Sequence, residues 1–408
     1  MKPMQTKRHG ARLKMLWITS LLGAAALVAG CGGGGGGDSA SVGSGGTGGA
    51  FSGPISGFGS VIVNGIRFDD SAATVTIDDD GGPASALKLG MMVEIEGSKN
   101  DDGIRGTANA IHAGSQVKGP ISAKTGTTLT VLGMTVIVNA NTAFEDVAGF
   151  ANLNVNDVVE VHAINNGQCT LLATRIEKES SATPGTPIDV RITGTIKGIT
   201  ATSFTLDNAC TTSPTVNVLA ATRIDNLSLL DGTLVRVKGT IPTVDSLIIS
   251  ATRIKARKQH QEGGRVEVEG IVSDFTNLAT NFKISGQIVD ASKATEIKGT
   301  FANGARAEAE GTIVGGKLVA TKVEAKNEGL EAEFEVHGTI ANFIDSSQAF
   351  TLLIGTGTGA RTVQVRLIGT PTIVLPLTAA TLTNNVKVEV KGNVVGDIVQ
   401  VTRIKIDS

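Results

Sequence analysis

The strongest constraint on this chain is a pattern of about 65 residues that recurs five times after residue 52. The clearest copy, at 190–254, contains five short runs in which apolar and polar residues alternate: V-R-I-T-G-T-I, S-F-T-L-D, T-V-N-V-L, V-R-V-K-G and L-I-I-S-A-T-R-I. This alternation is the period of a β-strand with one buried face. A patch after the third run, L-S-L-L-D-G (227–232), has the spacing of a helical turn ended by glycine. The copy therefore predicts five strands, with one short helix before the fourth.

Three landmarks of this unit recur in register. The fourth strand reads V-E-I-E-G, V-E-V-H-A, V-R-V-K-G, A-E-A-E-G and V-E-V-K-G, and the closing strand ends A-N-A-I, A-T-R-I, A-T-R-I, A-T-K-V and V-T-R-I. A glycine inside the first strand marks a bend, where that strand passes from one sheet to the other in a small closed barrel. These glycines are Gly53, Gly119, Gly194, Gly270 and Gly338. We therefore expect an all-β fold of about five tandem small OB-like β-barrel domains on a flexible N-terminal tether.

The period is longer than that of a typical solenoid, which predicts that each copy is a separate small domain. A domain of this length buries only about 60% of the surface of its unfolded chain, so contacts between neighbours are expected to contribute stability. The polar stretches 177–187 and 255–265 are typical of solvated linkers. The predicted boundaries are 1–30 for a signal peptide, 31–51 for a Gly/Ser-rich tether, 52–116 for repeat one, 117–181 for repeat two, 182–260 for repeat three, 261–328 for repeat four and 329–408 for repeat five.

The N-terminus has the composition of a secretory signal peptide. Residues 1–15 contain basic but no acidic side chains, and the apolar run at 16–29 is too short to span a bilayer comfortably. The run ends in L-V-A-G-C at Cys31, which resembles the lipobox of bacterial lipoproteins. The resemblance implies cleavage before Cys31, attachment of diacylglycerol to its thiol, and acylation (palmitate is typical) of the new N-terminus. An ordinary signal peptide that contains a cysteine is the alternative.

The same resemblance implies a place in the cell. More than one acyl chain is enough for stable anchoring, so membrane attachment through the N-terminal lipid needs no transmembrane helix. Gly32 stands where inner-membrane lipoproteins have a retention aspartate. We therefore expect a lipid-anchored protein of the cell envelope, with the outer membrane favoured, that faces the periplasm or the cell surface.

Charge argues against nucleic acid as a partner. Without residues 1–30 the chain keeps 31 basic and 38 acidic residues, so its surface is mildly acidic. Domains that bind DNA or RNA usually carry a basic patch. The composition therefore predicts no nucleic-acid partner.

Aromatic residues are scarce, and the one tryptophan, Trp17, lies in the signal peptide. Surfaces that stack bases or sugars usually present exposed aromatic rings. The shared second-strand position of three phenylalanines predicts core packing for Phe204, Phe282 and Phe350. Only other phenylalanines remain as candidate stacking platforms, such as Phe51, Phe58 and Phe150.

The repeats contain no recognisable catalytic or metal-binding motif. H-E-x-x-H, C-x-x-C and G-x-S-x-G are all absent. Glutamates in V-E-V-E and A-E-A-E occupy alternate strand positions, which is typical of a solvated face. The histidines that remain after residue 30 lack the spacing of metal ligands: His112, His162, His260 and His337. We therefore expect no catalytic residue, no cofactor and no metal, and hence no enzyme.

Two acidic turns of repeat one are candidates for a divalent cation, D-D-D-G-G (78–82) and N-D-D-G (100–103). Carboxylates are the ligands of Ca²⁺, but neither spacing matches an EF-hand loop. Acidic turns between strands are also common without a metal. Calcium binding is therefore the less favoured interpretation.

Two cysteines remain besides Cys31, namely Cys169 in repeat two and Cys210 in repeat three. In an oxidising compartment they can form a disulfide between adjacent barrels. The competing interpretation is two unrelated small residues in exposed turns.

With the landmarks G-x-I, F-T-L, G-x-x-V-x-V-x-G and A-T-R-I, residues 52–408 resemble an uncharacterised tandem-repeat domain family of bacterial lipoproteins, a domain of unknown function. Repeat two departs from the pattern at His162–Ala163, and repeat one has A-N-A-I. The shared motif is structural, so the resemblance implies a fold and a location but no site residue. We expect a non-enzymatic binding or structural role toward envelope proteins or polysaccharide. The alternative is an oligosaccharide- or divalent-metal-binding module, and a carboxylate-based hydrolase is less favoured still.

Overall fold

The computed structural model of the protein describes residues 47–165, 169–208, 210–225, 228–257, 262–284, 286–325, 334–355, 360–374 and 382–407. These residues are nearly all in β-strands and connecting turns, with three short 3-10 helices. The predicted all-β fold of repeated units is confirmed. The predicted signal peptide, Cys31 and most of the tether lie outside the described residues. No helix within the described residues has the length and apolar character needed to cross a bilayer.

The first two repeats contain thirteen strands. Repeat one consists of β1 (Thr47–Phe58), β2 (Val61–Val63), β3 (Ile66–Asp69), β4 (Thr74–Ile77), β5 (Asp80–Gly81), a 3-10 turn (Ala84–Ala86), β6 (Met92–Lys99) and β7 (Arg105–Ala113). Repeat two consists of β8 (Val117–Thr125), β9 (Thr128–Val131), β10 (Met134–Ile137), β11 (Ala143–Glu145), a 3-10 turn (Phe150–Asn152), β12 (Asp157–Asn165) and β13 (Thr170–Ser181).

The other repeats follow the same order. Repeat three consists of β14 (Ile188–Lys197), β15 (Ser203–Asp207), β16 (Thr215–Asp225), β17 (Leu234–Ile241) and β18 (Ile248–Ala256). Repeat four consists of β19 (Arg265–Ser273), β20 (Phe282–Ile284), β21 (Gln287–Asp290), β22 (Glu296–Lys298), β23 (Arg306–Val314) and β24 (Lys317–Ala325). Repeat five consists of β25 (Phe334–Ile344), a 3-10 turn (Asp345–Ser347), β26 (Ala349–Ile354), β27 (Arg361–Ile373), β28 (Lys387–Val395) and β29 (Ile398–Ile406).

Each repeat closes on itself through the same circuit of strand pairs. In repeat two, β8 pairs antiparallel with β9 and β9 with β10. β10 then runs parallel to β13, β13 pairs antiparallel with β12, and β12 returns to β8. The equivalent pairs close repeats one, three, four and five. Alternation along these strands buries one face of each and forms the cores.

The first-strand glycine lies where that strand changes partner. Gly119 faces Val159 of β12, and two residues later Ile121 faces Val131 of β9. A Cβ atom on Gly119 would lie 3.0 Å from Leu132 Cγ, so a side chain there would crowd the core. The strand bends into the second sheet at this point, as the sequence predicts.

The fourth-strand glycine and the A-T-R-I motif form one joint. A β-bulge precedes Gly97, Gly239, Gly311 and Gly392 in four repeats and Ala163 in repeat two. The motif threonine, exemplified by Thr252, donates a hydrogen bond of 3.1 Å to the carbonyl just before the bulge. Thr174, Thr321 and Thr402 do the same. The recurring residues therefore specify a β-bulge and the threonine hydroxyl that stabilises it.

In repeat three all five predicted strands are present, but the predicted helical turn over 227–232 is not. Residues 228–230 have no regular structure and 231–232 form a turn, while 227 lies outside the described residues. In repeats one and two a 3-10 turn occupies this place. The strands were predictable because alternation over several residues is a stronger signal than one apolar patch.

The repeats are not separate beads, in contrast to the sequence expectation. β1 of repeat one runs parallel to β19 of repeat four and to β25 of repeat five, and β8 pairs antiparallel with β14. Buried residues of repeats one and five form one apolar cluster, those of repeats two and three form a second, and repeat four has its own. Residues 44–408 form one compact unit. Small barrels bury too little surface alone, and here they bury more against one another.

The phenylalanines lie mostly inside these cores. Phe204, Phe282 and Phe350 are buried, as predicted. Phe51 and Phe58 are also buried and cannot stack on a ligand. Phe150 is half-buried, and Lys124 Nζ lies 4.5 Å from the centre of its ring.

Candidate functional site

Many charged side chains that alternation predicts to be solvated are buried, and several of them pair with side chains of another repeat. Glu267 and Glu269 of V-E-V-E expose 2% and 4% of their surface, and Glu308 of A-E-A-E exposes 4%. The prediction of a solvated face was wrong because alternation separates the two faces of a strand but does not show that another repeat covers the outer one. Buried charges are tolerated only when they are paired. The candidate site is therefore this set of charged junctions.

The first junction, called here the three-repeat junction, brings together Asp78 of repeat one, Glu160 of repeat two, and Arg191 and Arg236 of repeat three. Arg191 Nη2 lies 2.6 Å from Glu160 Oε2 and 3.0 Å from Asp78 Oδ2. Arg236 Nη1 lies 3.7 Å from Asp78 Oδ1, and its Nη2 donates to the Ser115 carbonyl at 3.3 Å. One cluster thus fixes three repeats to one another.

Burial and neighbouring charges give the ionisable groups of this junction different protonation states. Burial and the neighbouring charge of Asp78 raise the pKa of Glu160 to about 8. Burial also opposes the charged form of Asp78, but Arg191 and the other cations hold the pKa of Asp78 below its usual value. Burial, together with the nearby arginines, lowers the pKa of His162 to about 3. At neutral pH the cluster therefore contains a protonated Glu160, an ionised Asp78 and a neutral His162.

The acidic turn at 78–82 is paired with cations of repeat three. Asp79 Oδ1 accepts from Lys255 Nζ at 3.1 Å, and Asp80 Oδ2 accepts from Lys238 Nζ at 3.3 Å. Lysine ammonium groups thus already neutralise these two carboxylates. Lys255, expected to belong to a solvated linker, is instead part of this junction. In the other acidic turn, Asp102 Oδ1 accepts backbone hydrogen bonds from residues 104 and 105.

Arg175 of repeat two forms a second junction and exposes only 1% of its surface. Its Nη1 donates to the Leu89 carbonyl of repeat one at 3.1 Å. Its Nη2 contacts Glu145 of repeat two and lies 2.9 Å from Asp397 Oδ1 of repeat five. Arg175 therefore joins three repeats, and a buried guanidinium requires all of these acceptors.

Two further contacts attach repeats four and five to repeat one. Lys99 Nζ lies 2.8 Å from Glu267 Oε2 and 2.9 Å from Glu310 Oε2, both in repeat four. Arg361 of repeat five lies 2.5 Å from Asp70 of repeat one. Lys88 Nζ of repeat one lies 3.3 Å from Glu145 Oε1 of repeat two. Repeat one is thus in ionic contact with each of the other four.

A possible metal-ligand set lies in repeat five. Ligand atoms of Glu335, His337 and Glu389 lie within 4.8 Å of one another, which is close enough for a divalent cation. However, Arg67 Nη2 lies 2.5 Å from Glu335 Oε1 and 2.7 Å from His337 Nε2. Lys391 Nζ lies 2.8 Å from Glu335 Oε2. Cationic side chains already neutralise this donor set, so the residues fit an ion-pair cluster better than a metal centre.

The matched segments of one family profile follow these repeats closely. The family described as "Domain of unknown function (DUF5666)" matches 52–112, 118–177, 193–255 and 269–324, which together exceed half of the chain. The chain belongs to the DUF5666 family. Each matched segment covers most of one closed strand circuit, so a DUF5666 copy corresponds to one repeat. Repeat five lies beyond these segments but has the same circuit as the four DUF5666 copies.

Other comparisons add little to the DUF5666 assignment. A solved structure titled "drosophila Unr CSD456" is 16% identical, with 48% of this chain and 85% of that chain covered, at a TM-score of 0.16. That score is too low to carry an argument. No curated protein matches the chain.

The structure brings some of the predicted site residues of this DUF5666 protein together, and others lie outside the described residues. Cys169 and Cys210 form a disulfide with a Cα–Cα distance of 4.7 Å, which links repeat two to repeat three. Cys31 and His260 lie outside the described residues. His112 Nδ1 lies 2.7 Å from Thr76 Oγ1. Sequence reasoning missed the cluster around His337, since its members come from two distant strands that meet only in the folded repeat.

Proposed function

We propose that this chain is a lipid-anchored protein of the cell envelope whose five repeats form one non-enzymatic body with a binding or structural role. The observation that carries the proposal is the use of its buried charges. At the three-repeat junction, at Arg175 and at Lys99, charged groups pair with partners from other repeats instead of facing an open cleft. Such pairing positions the repeats relative to one another.

The disulfide supports a location outside the cytoplasm. Disulfides persist in oxidising compartments and are rare where thiols are kept reduced. The bond between Cys169 and Cys210 agrees with export by the N-terminal segment and with lipidation of Cys31. The burial of Phe51 and Phe58, together with the acidic surface, supports the absence of a nucleic-acid partner.

Anchoring is tested with the full-length chain and its Cys31→Ser variant, both expressed in a bacterium that processes lipoproteins. We expect the wild-type protein to enter the detergent phase on Triton X-114 partition and to show the mass of an acylated N-terminus. The Cys31→Ser variant should stay in the aqueous phase. Equal partition of the two proteins would remove the lipid anchor from the proposal.

The absence of enzymatic activity is tested by replacing buried glutamates with glutamine, which can neither ionise nor transfer a proton. Glu160→Gln, Glu267→Gln and Glu389→Gln should change stability, and neither they nor the wild-type protein should hydrolyse a panel of glycosides and esters. A variant that kept the wild-type stability but lost a wild-type hydrolytic activity would identify a catalytic carboxylate and refute this part of the proposal.

A divalent-metal site is the second candidate, and the observation that favours it is the convergence of Glu335, His337 and Glu389. Arg67 and Lys391 oppose it because they already neutralise the carboxylates. We expect Zn²⁺ and Ca²⁺ to leave the thermal transition of the wild-type protein unchanged. A rise in the transition temperature with Zn²⁺ that the His337→Ala variant does not show would establish a metal site instead.

A further inference from the structure

The basic residue of the closing strand lies at an equivalent place in four repeats, but its surroundings differ. Arg175 binds Asp397 of repeat five, and Arg253 lies 2.6 Å from Asp225 of its own repeat and 3.6 Å from Asp80 of repeat one. Lys322 of repeat four lies 3.0 Å from Glu308. In two of these repeats the closing-strand arginine thus pairs with a carboxylate of another repeat.

Arg403 of repeat five is the exception. Its side chain is exposed, and no group among the described residues forms a hydrogen bond or ion pair with it. Apolar side chains are exposed on the same strand and on β27, with Ile406 at 41% and Ile368 at 45%. The outer surface of β27 and β29 in repeat five, called here the Arg403 wall, therefore carries a guanidinium without a partner among the described residues, on strands that also expose aliphatic side chains.

The carboxylate that pairs with Arg175 belongs to a turn of repeat five. Asp397 lies in the turn between the fourth and closing strands of repeat five, and its backbone N–H also donates to the Phe144 carbonyl at 3.0 Å. In the equivalent turn of repeat one, 100–104, residues 101–104 are exposed. It carries Asp101, which has no partner among the described residues, and Ile104, which is 58% exposed. The described part of the chain therefore displays an unpaired aspartate at this turn as well as an unpaired arginine on the Arg403 wall.

We propose that these two surfaces bind each other between two copies of the protein. The turn at 100–104 of one copy would dock on the Arg403 wall of the next. An ion pair between Asp101 and Arg403 would then repeat, between copies, the pair that Asp397 and Arg175 form within the chain. Charge complementarity and the exposed Ile104 and Ile368 favour this partner over a phosphate group. Attraction between opposite charges drives association, since neither Arg403 nor Asp101 has a side-chain partner among the described residues.

The test uses charge reversal in the full-length protein in detergent, followed by sedimentation velocity. The wild-type protein should self-associate. Arg403→Glu alone should raise the dissociation constant at least tenfold, and so should Asp101→Arg alone. An equimolar mixture of the two variants should recover the wild-type constant, because every contact then pairs opposite charges. Lys293→Glu, the same charge change at an exposed position of repeat four, is the matched control and should associate as the wild type does.

Other outcomes overturn the proposal. A monomeric wild-type protein at all concentrations excludes a second copy as the partner. Rescue of Arg403→Glu by Asp245→Arg, but not by Asp101→Arg, moves the contact to the equivalent turn of repeat three. Loss of binding to phosphatidylglycerol vesicles in Arg403→Glu, without any change in self-association, assigns the arginine to lipid phosphate instead.

Discussion

Glu160 shows how strongly the surroundings of one side chain decide its chemistry. It lies on the outer face of its strand, yet it is buried beside Asp78 and Arg191, and its pKa is raised to about 8. Folding therefore keeps a proton on this carboxyl at neutral pH. The protonated group can donate a hydrogen bond to Asp78 and avoids a repulsion between two buried carboxylates.

This protonation predicts a pH dependence for Glu160→Gln. The folded protein retains the proton up to about pH 8, while the unfolded chain loses it near its ordinary value of 4.5. Raising the pH through this window therefore lowers the free energy of unfolding of the wild type, and the glutamine variant lacks this loss. Urea titrations should show the difference growing in favour of Glu160→Gln, by about 1–3 kcal/mol between pH 5 and pH 8.

The neighbouring carboxylate tests the cause of that effect. In an Asp78→Asn background the repulsion is absent, so the growth of the difference with pH should shrink. If the difference in the free energy of unfolding between Glu160→Gln and the wild type stayed constant from pH 5 to pH 9, Glu160 would not be protonated in the folded protein as described.

The bulge glycine makes a steric prediction. A Cβ on Gly311 would lie 2.1 Å from the Val319 carbonyl oxygen, so a side chain there must push two strands apart. Gly311→Val should lower the free energy of unfolding by about 3 kcal/mol, measured as a shift of the urea midpoint. Gly81→Val is the control, because its Cβ would meet nothing within 4 Å. Similar losses for the two variants would show that the bulge does not demand glycine.

At the scale of elements, the strand pattern was readable from sequence while the outer faces were not. Alternation predicted all five strands of repeat three, and the first-strand glycines predicted the bends. The same alternation suggested solvent around Glu267 and Glu308, which other parts of the fold cover. Alternation reflects local backbone geometry, whereas coverage depends on where a distant repeat lies. The cluster around His337 was missed for the same reason.

The disulfide gives a prediction at this scale. Cys169 and Cys210 are separated by 41 residues, and a cross-link closing such a loop stabilises a protein by about 2–4 kcal/mol in the chain-entropy description. The Cys169→Ser/Cys210→Ser variant should lose that amount in urea titrations, and its transition should be insensitive to reducing agent. Two free thiols in the unreduced native protein, counted by alkylation and mass spectrometry, would refute the bond.

At the scale of the whole molecule, repeat one is the centre of the arrangement. It pairs strands with repeats four and five and forms ion pairs with all the others. The number of repeats and the shared order of their main strands were predictable, because each repeat carries its own landmarks, but the extra short strands of repeats one, two and four were not. The central role of repeat one was not, since its acidic turn at 78–82 reads like any other turn until the cations of repeat three are placed beside it.

The central claim is that ionic junctions make the repeats one cooperative body, and Arg175→Ala tests it most directly. Removing one partner of a buried ion network costs about 3–5 kcal/mol. Native-state hydrogen exchange, read by mass spectrometry at a monomeric concentration, should show faster exchange around Leu89, Phe144 and Asp397 together, in three repeats at once. Arg403→Ala, the equivalent change at an exposed position, should leave the pattern unchanged. Faster exchange confined to repeat two would contradict the claim and return the chain to a row of independent domains.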